Sequence, residues 1–142
     1  MMMAVLALGS LFSMVCTPMT GSVLGMDEPG SNVDASAMSL PEVQYAEVNG
    51  ASLGYREFGA GEPLLLICGF GATMDNWNST FIDLLASHYH VYTFDHRGMG
   101  YSTDNNATPS MQQFADDVHV LMDVLGHESM NTYGTSMGSS IS

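Results

Sequence analysis

The chain has 142 residues, enough for one ordinary domain and short for a large α/β enzyme. Apolar residues make up 46% and charged residues 12%, with no long polar low-complexity tract, so a disordered chain is excluded. Fifteen acidic side chains stand against two basic ones, Arg56 and Arg97, and the net charge of −13 repels phosphate backbones, which argues against nucleic acid as a partner.

Residues 1–25 are predicted to be a signal peptide or a membrane anchor. The segment Met1–Met26 carries no charge, and its apolar run Met3–Cys16 is about the length of a secretory core and shorter than a comfortable membrane span. Pro18, Gly21 and Gly25 interrupt it, and Val23-Leu24-Gly25 or Ala35-Ser36-Ala37 offers a cleavage site. The run departs from the usual export pattern in having no Lys or Arg before it. The expectation is export or membrane association through residues 1–25. After cleavage Cys68 would be left without a disulfide partner, and the sequons Asn78-Ser79-Thr80 and Asn106-Ala107-Thr108 are compatible with export.

Residues 26–40 are polar, carry Gly, Pro and Ser, and lack apolar periodicity; they are predicted to be a linker. Strand and helix patterns then alternate through 41–142. Val43–Val48 and Ser52–Phe58 alternate in hydropathy and are joined at Asn49-Gly50, a strong hairpin signal. Pro63–Cys68 is a continuous apolar run, as in a strand buried on both faces. Trp77, Phe81, Leu84 and Leu85 recur at helical spacing and predict a helix covering the sheet. Val91–Phe94 predicts a second buried strand. Pro109 and Ser110 open a helix with Phe114, Val118, Leu121 and Leu125 inward, Asp116, Asp117 and Asp123 largely on the other faces, and Gly126 at its end. Met130–Tyr133 predicts a third buried strand running into Gly134. A hairpin followed by strand–helix–strand–helix–strand is the order of an α/β sheet.

Three constellations carry possible chemistry. Gly134-Thr135-Ser136-Met137-Gly138 directly follows a predicted strand. A serine becomes a useful nucleophile when a sharp strand-to-helix turn exposes it. Such a turn strains the serine backbone and needs small residues two positions to either side. Cys68-Gly69-Phe70-Gly71 ends the apolar strand, and its glycines let backbone N–H groups turn towards a substrate oxyanion. Two donors could be the amides of Phe70 and Met137. A rival dinucleotide-binding pattern in Gly69-x-Gly71-x-x-Met74 lacks the third glycine that close helix packing requires. Third, Asp95-His96-Arg97-Gly98-Met99-Gly100-Tyr101-Ser102 sits at the carboxyl end of a strand; Asp95 is expected to pair with Arg97 or to satisfy loop amides. The histidines and acids show no ligand spacing, so neither a metal nor a cofactor is predicted.

Tyr55-Arg56 with Gly59, PLLLICGFG, Trp77, DHRGMGYS and YGTSMG together resemble the amino-terminal half of the α/β-hydrolase superfamily, in the subgroup of esterases, cofactor-free haloperoxidases, epoxide hydrolases and haloalkane dehalogenases. The resemblance covers residues 43–142. It implies the amino-terminal portion of an α/β-hydrolase sheet, an antiparallel hairpin and then parallel strands with crossover helices, truncated after the nucleophile elbow. It implies Ser136 as nucleophile, Phe70 and Met137 as oxyanion donors, and Gly134 and Gly138 as the residues that shape the elbow. Epoxide hydrolases and dehalogenases of the subgroup carry aspartate at the nucleophile position, so serine points to ester, thioester, amide or peroxy-acid acyl chemistry on a small-molecule acyl substrate. Cys68 replaces a common histidine, Thr135 a common histidine or tryptophan, and Ser139 a common glycine.

In the family the catalytic acid and then the histidine follow the serine in the chain. The expectation for these 142 residues is therefore a fragment without its triad partners. The alternatives are a catalytically inactive truncated product or a binding-only hydrolase-like protein. Among the histidines only His96 is expected on the serine's edge of the sheet, and none is expected to act as base. Phe70 and Trp77 are candidates to line a pocket, although a tryptophan spaced like Trp77 is more often core.

Overall fold

The computed structural model describes residues 40–106 and 108–142. The expected leader, and the linker apart from Leu40, lie outside the described residues.

Gln44–Val48 (β1) and Ala51–Gly59 (β2) form the antiparallel hairpin, joined by Asn49 at φ 47° and Gly50 at φ 77°. Two consecutive positive φ angles are what a two-residue hairpin loop with native twist requires, and Asn-Gly supplies them cheaply. β2 also pairs antiparallel with Tyr89–Phe94 (β4). Glu62–Ile67 (β3) lies between β4 and Asn131–Gly134 (β5) and is parallel to both. The sheet order is β1-β2-β4-β3-β5. Parallel neighbours need a crossover. Helix Ser79–Ala86 (α1) links β3 to β4, and helix Met111–Val124 (α2) links β4 to β5.

The alternation of side chains along β3 divides the core. Leu64 and Leu66 pack with Val91 and Ile82 of α1, while Leu65 and Ile67 join Val48, Leu53, Phe94 and, from α2, Val118 and Leu121. With both faces of β3 covered, its continuous apolar run is explained.

α2 has the expected inward stripe of Phe114, Val118 and Leu121. The Ser110 side chain accepts from the Gln113 amide at 3.1 Å. At the other end Gly126 (φ 81°) donates to the Asp123 carbonyl at 3.0 Å, and His127 to that of Met122 at 3.1 Å. These two bonds satisfy the last carbonyls as a Schellman cap does.

Three expectations are corrected. Trp77 lies before α1, because the side chain of Asn78 caps the helix by accepting from the Phe81 amide at 3.1 Å. The inward residue of that short helix is Ile82, and Leu84 is 64% exposed. Met130–Tyr133 was expected to be buried, yet Asn131, Thr132 and Tyr133 are exposed: among the described residues β5 lies at the edge of the sheet and pairs only with β3. Asp117, expected on a polar face, is buried. Its carboxylate receives Arg97 through Nε and Nη2, each at 2.6 Å, together with Asn49 Nδ2 at 2.9 Å and Gln113 Nε2 at 3.0 Å.

Burial alone would raise the Asp117 value, but the hydrogen bonds from Arg97, Asn49 and Gln113 and the charge of Arg97 outweigh it and hold the carboxyl below its ordinary range. A depressed folded-state value means that this stabilisation is complete above the unfolded value of about 3.9 and is lost as pH falls through the lower, folded one. Asp117→Ala leaves Arg97 buried without a counter-charge, which costs about 3–5 kcal/mol. Urea unfolding at pH 7 is expected to show that loss, with the gap to wild type shrinking as pH drops below about 4; a gap independent of pH would contradict it.

Candidate active site

The ends of β3, β4 and β5 that lead into loops meet at one edge of the sheet, because the three strands are parallel. β5 is anchored there by Thr135, whose amide donates to the Ile67 carbonyl at 3.1 Å. The chain then reverses into a single 3-10 turn, Ser136–Ser140, with Gly138 N–H donating to the Thr135 carbonyl at 2.9 Å and Ser139 Oγ to the Ser136 carbonyl at 2.6 Å. Ser136 has φ 52°, a left-handed conformation that costs an L-residue about 1–2 kcal/mol. Its side chain is exposed, and Oγ takes no hydrogen-bond partner among the described residues.

The two flanking glycines are required by contact. A Cβ on Gly134 would overlap the backbone of Gly138, and a Cβ on Gly138 would overlap the Ile67 carbonyl and lie 2.9 Å from that of Cys68. Gly69 closes the site from the β3 side, since a Cβ there would stand 3.1 Å from Ser136 Cβ and 3.6 Å from Oγ. The chain then turns through Phe70 and Gly71 (φ 77°), and the Ala72 amide donates to the Gly69 carbonyl at 3.2 Å. The Phe70 side chain is 72% exposed, and its amide has no partner among the described residues. Phe70, Ser136 and Met137 thus stand on two adjoining loops, with Ser136 and the open Phe70 amide at one sheet edge. That arrangement can present a hydroxyl and a backbone donor to one carbonyl group.

The third loop, after β4, braces the loop after β3. Asp95 is fully buried; Oδ1 accepts from the Met74 amide at 2.6 Å and Oδ2 from the Tyr101 amide at 2.8 Å. Of its two expected roles it takes the second, satisfying loop amides, while Arg97 goes to Asp117. Gly100 passes so close that a Cβ would overlap the Asp95 carboxylate. Arg56 of β2 pairs with Asp75 and lies over the Tyr101 ring, 5.3 Å from its centroid. Trp77 is half-buried: it stacks on Phe81 with centroids 6.0 Å apart, tilts against Tyr133 at 5.9 Å, and also lines a cavity with Arg56, Met74 and Asp75.

His96 is the residue that sequence spacing undervalued. It is buried between the rings of Phe94 and Phe114, and Nε2 lies 3.2 Å from the Cys68 carbonyl. His90 and His127 gather on Tyr92, whose hydroxyl lies 3.1 Å from His90 Nδ1 and 2.9 Å from His127 Nε2. His88 and His119 are exposed. Among the described residues no histidine is hydrogen-bonded to Ser136, and no group of three or more His, Cys, Asp or Glu could hold a metal ion. No helix among them is long and apolar enough to cross a membrane.

The model of the alpha/beta hydrolase fold family matches residues 62–142, the stretch that carries all three loops. The chain belongs to the alpha/beta hydrolase fold family. An Acinetobacter baylyi protein, (E)-2-((N-methylformamido)methylene)succinate hydrolase, is 38% identical over 93 residues, covering 66% of this chain and 35% of that protein. Among solved structures, an enol-lactonase from Burkholderia xenovorans superposes with a TM-score of 0.65 at 31% identity, covering 69% of this chain and 39% of its own. A bacterial membrane phospholipase A gives 0.66 at 32% identity, covering 70% and 33%. Epoxide hydrolases and a non-heme haloperoxidase match as well. The chain spans about a third of the length of the curated relatives it matches.

The glycine contacts predict a ranking. Gly71→Ala meets nothing within 4 Å and carries only the strain of a positive φ, about 1–2 kcal/mol. Gly138→Ala must displace the rigid backbone at the end of β3, so its urea midpoint is expected to fall further than that of Gly71→Ala. Equal losses would show that the elbow is not packed against β3 as described.

Proposed function

We propose that this chain supplies the nucleophile and oxyanion loops of a serine-dependent acyl hydrolase acting on a small-molecule ester, thioester, amide or peroxy-acid. The observation that carries the proposal is Ser136 itself: an exposed serine in a strained left-handed conformation, held between two glycines that contact leaves no room to enlarge. Strain of that kind persists where the surrounding packing imposes it, and it concentrates at functional sites. In this reading Ser136 Oγ attacks an acyl carbonyl, and the amides of Phe70 and Met137 receive the developing oxyanion. The resemblance puts the general base and its acid after the serine in the chain, and no histidine among the described residues is hydrogen-bonded to Ser136. The tetrahedral intermediate collapses with loss of the substrate's alcohol, thiol, amine or peroxide, protonated by the general base's conjugate acid, and water then releases the carboxylic acid from the acyl-enzyme.

The relatives bear on the substrate class. A lactonase and a phospholipase, by those names, cleave esters. Serine at the position where the resemblance puts aspartate in epoxide hydrolases favours acyl transfer over epoxide opening. We also propose export or membrane association through residues 1–25, supported by the uncharged apolar run Met3–Cys16. An amino terminus located by mass spectrometry after residue 25 in the exported fraction is the expected result, and an intact Met1 in soluble cytosol would oppose it.

The catalytic proposal is tested with p-nitrophenyl esters of short acids, comparing the 142-residue chain with the gene product that includes whatever coding sequence follows Ser142. The longer product is expected to turn over, and Ser136→Ala to lower kcat by on the order of 10⁴–10⁶. The 142-residue chain is expected to show no turnover sensitive to that substitution. Ester hydrolysis that survives Ser136→Ala in the longer product would overturn the assignment.

A further inference from the structure

The Gly69–Ala72 turn has little of its own to hold it. Phe70 is exposed, a Cβ on Gly71 would touch nothing within 4 Å, and one 3.2 Å hydrogen bond closes the turn. Yet an oxyanion donor is useful only if its N–H is fixed before the reaction. The orientation must therefore be imposed from the turn's two ends.

At the entry, the Cys68 carbonyl faces His96 Nε2 at 3.2 Å. Burial pushes the His96 imidazole below its ordinary value, outweighing the hydrogen bond to Cys68 and the charges of Asp117 and Asp95, so the ring is neutral at pH 7 with one N–H. A carbonyl can only accept, and Nδ1 is buried without a partner, which places that single hydrogen on Nε2. Because a peptide unit is planar, holding the Cys68 carbonyl fixes the whole plane up to Gly69 Cα. The next plane is held by the Ala72 amide on the Gly69 carbonyl, and its far corner is the open N–H of Phe70. At the exit, Cys68 Sγ lies 3.4 Å from the Thr73 carbonyl. Burial and the negative charge of Asp95 push the thiol up to about 11, so it is protonated at neutral pH and donates. Cys68 thus ties the start of the turn to its end, in the position where the resemblance puts a histidine.

We propose that His96 and the Cys68 thiol are positioning residues that fix the Gly69–Ala72 turn so that the Phe70 amide stays aimed at the site above Ser136. This rests on the reading of Phe70 as an oxyanion donor. The competing role for His96 is ring packing between Phe94 and Phe114, whose centroids lie 4.9 and 5.0 Å away. Two substitutions separate the roles: His96→Phe keeps an aromatic ring and loses the N–H, while His96→Gln loses the ring and keeps an N–H at similar reach.

The experiment is amide NMR of the 142-residue chain labelled with ¹⁵N-phenylalanine, which has six such residues. Phe70 is assigned with the conservative surface change Phe70→Tyr, and Phe58 and Phe81, which pack on the α1 face, serve as controls. In His96→Phe the Phe70 signal is expected to shift and broaden while Phe58 and Phe81 stay in place, and His96→Gln is expected to restore the wild-type position. An unmoved Phe70 signal in folded His96→Phe overturns the proposal, as does a signal displaced equally by both substitutions. If His96→Phe fails to fold, Cys68→Ala decides: displacement of Phe70 alone supports the brace, and an unmoved Phe70 refutes it. None of these readouts needs a reactive serine, so the brace can fail or stand independently of whether Ser136 proves to be the nucleophile.

Discussion

The arrangement depends on how closely one peptide passes another. After β5 the chain must reverse within four residues against the end of β3, and Gly138 comes so near the carbonyls of Ile67 and Cys68 that no side chain fits between. That approach forces Ser136 into φ 52° and brings Gly134 onto Gly138. It also sets Ser136 Cβ against Gly69, and so couples the serine loop to the turn that bears Phe70. A parallel sheet makes this possible, because it delivers the ends of β3, β4 and β5 to one edge.

Charge is distributed to support that edge. The chain has only two arginines against fifteen acidic residues, and both are buried on carboxylates: Arg56 on Asp75 and Arg97 on Asp117. The second pair ties the loop after β4 to α2, while Asp95, two residues before Arg97 in the same loop, gathers the amides of Met74 and Tyr101. Buried pairs add little net stability by themselves, but losing one partner is costly, so they hold the loops in register. Apart from Asp95 and Asp117, the acidic residues among those described are at least partly exposed.

Local pattern accounts for what was legible in the sequence. Asn49-Gly50 gave the hairpin, the run Pro63–Cys68 gave a strand covered on both faces, and Phe114, Val118 and Leu121 gave the buried side of α2. The spacing of Gly134 and Gly138 was readable too, and at both positions a Cβ would clash with backbone. What escaped was set by partners far along the chain. Asp117 looks like any polar helix residue until Arg97, twenty positions earlier, meets it. His96 acts on a carbonyl 28 positions away, a distance at which no spacing rule applies. β5, read as buried from its apolar pattern, is exposed among the described residues, where only β3 pairs with it.

We propose Ser136 as the reacting group, on its strained conformation between Gly134 and Gly138 and its place in the stretch that matches the family. The most direct test is covalent: treat the full-length gene product with a fluorophosphonate and locate the adduct by mass spectrometry. With arginine only at 56 and 97 and no lysine, trypsin places Ser136 in the fragment that begins at Gly98. The account predicts one phosphonyl group, on Ser136 within that fragment. A protein that hydrolyses esters and is labelled on any other residue would contradict it.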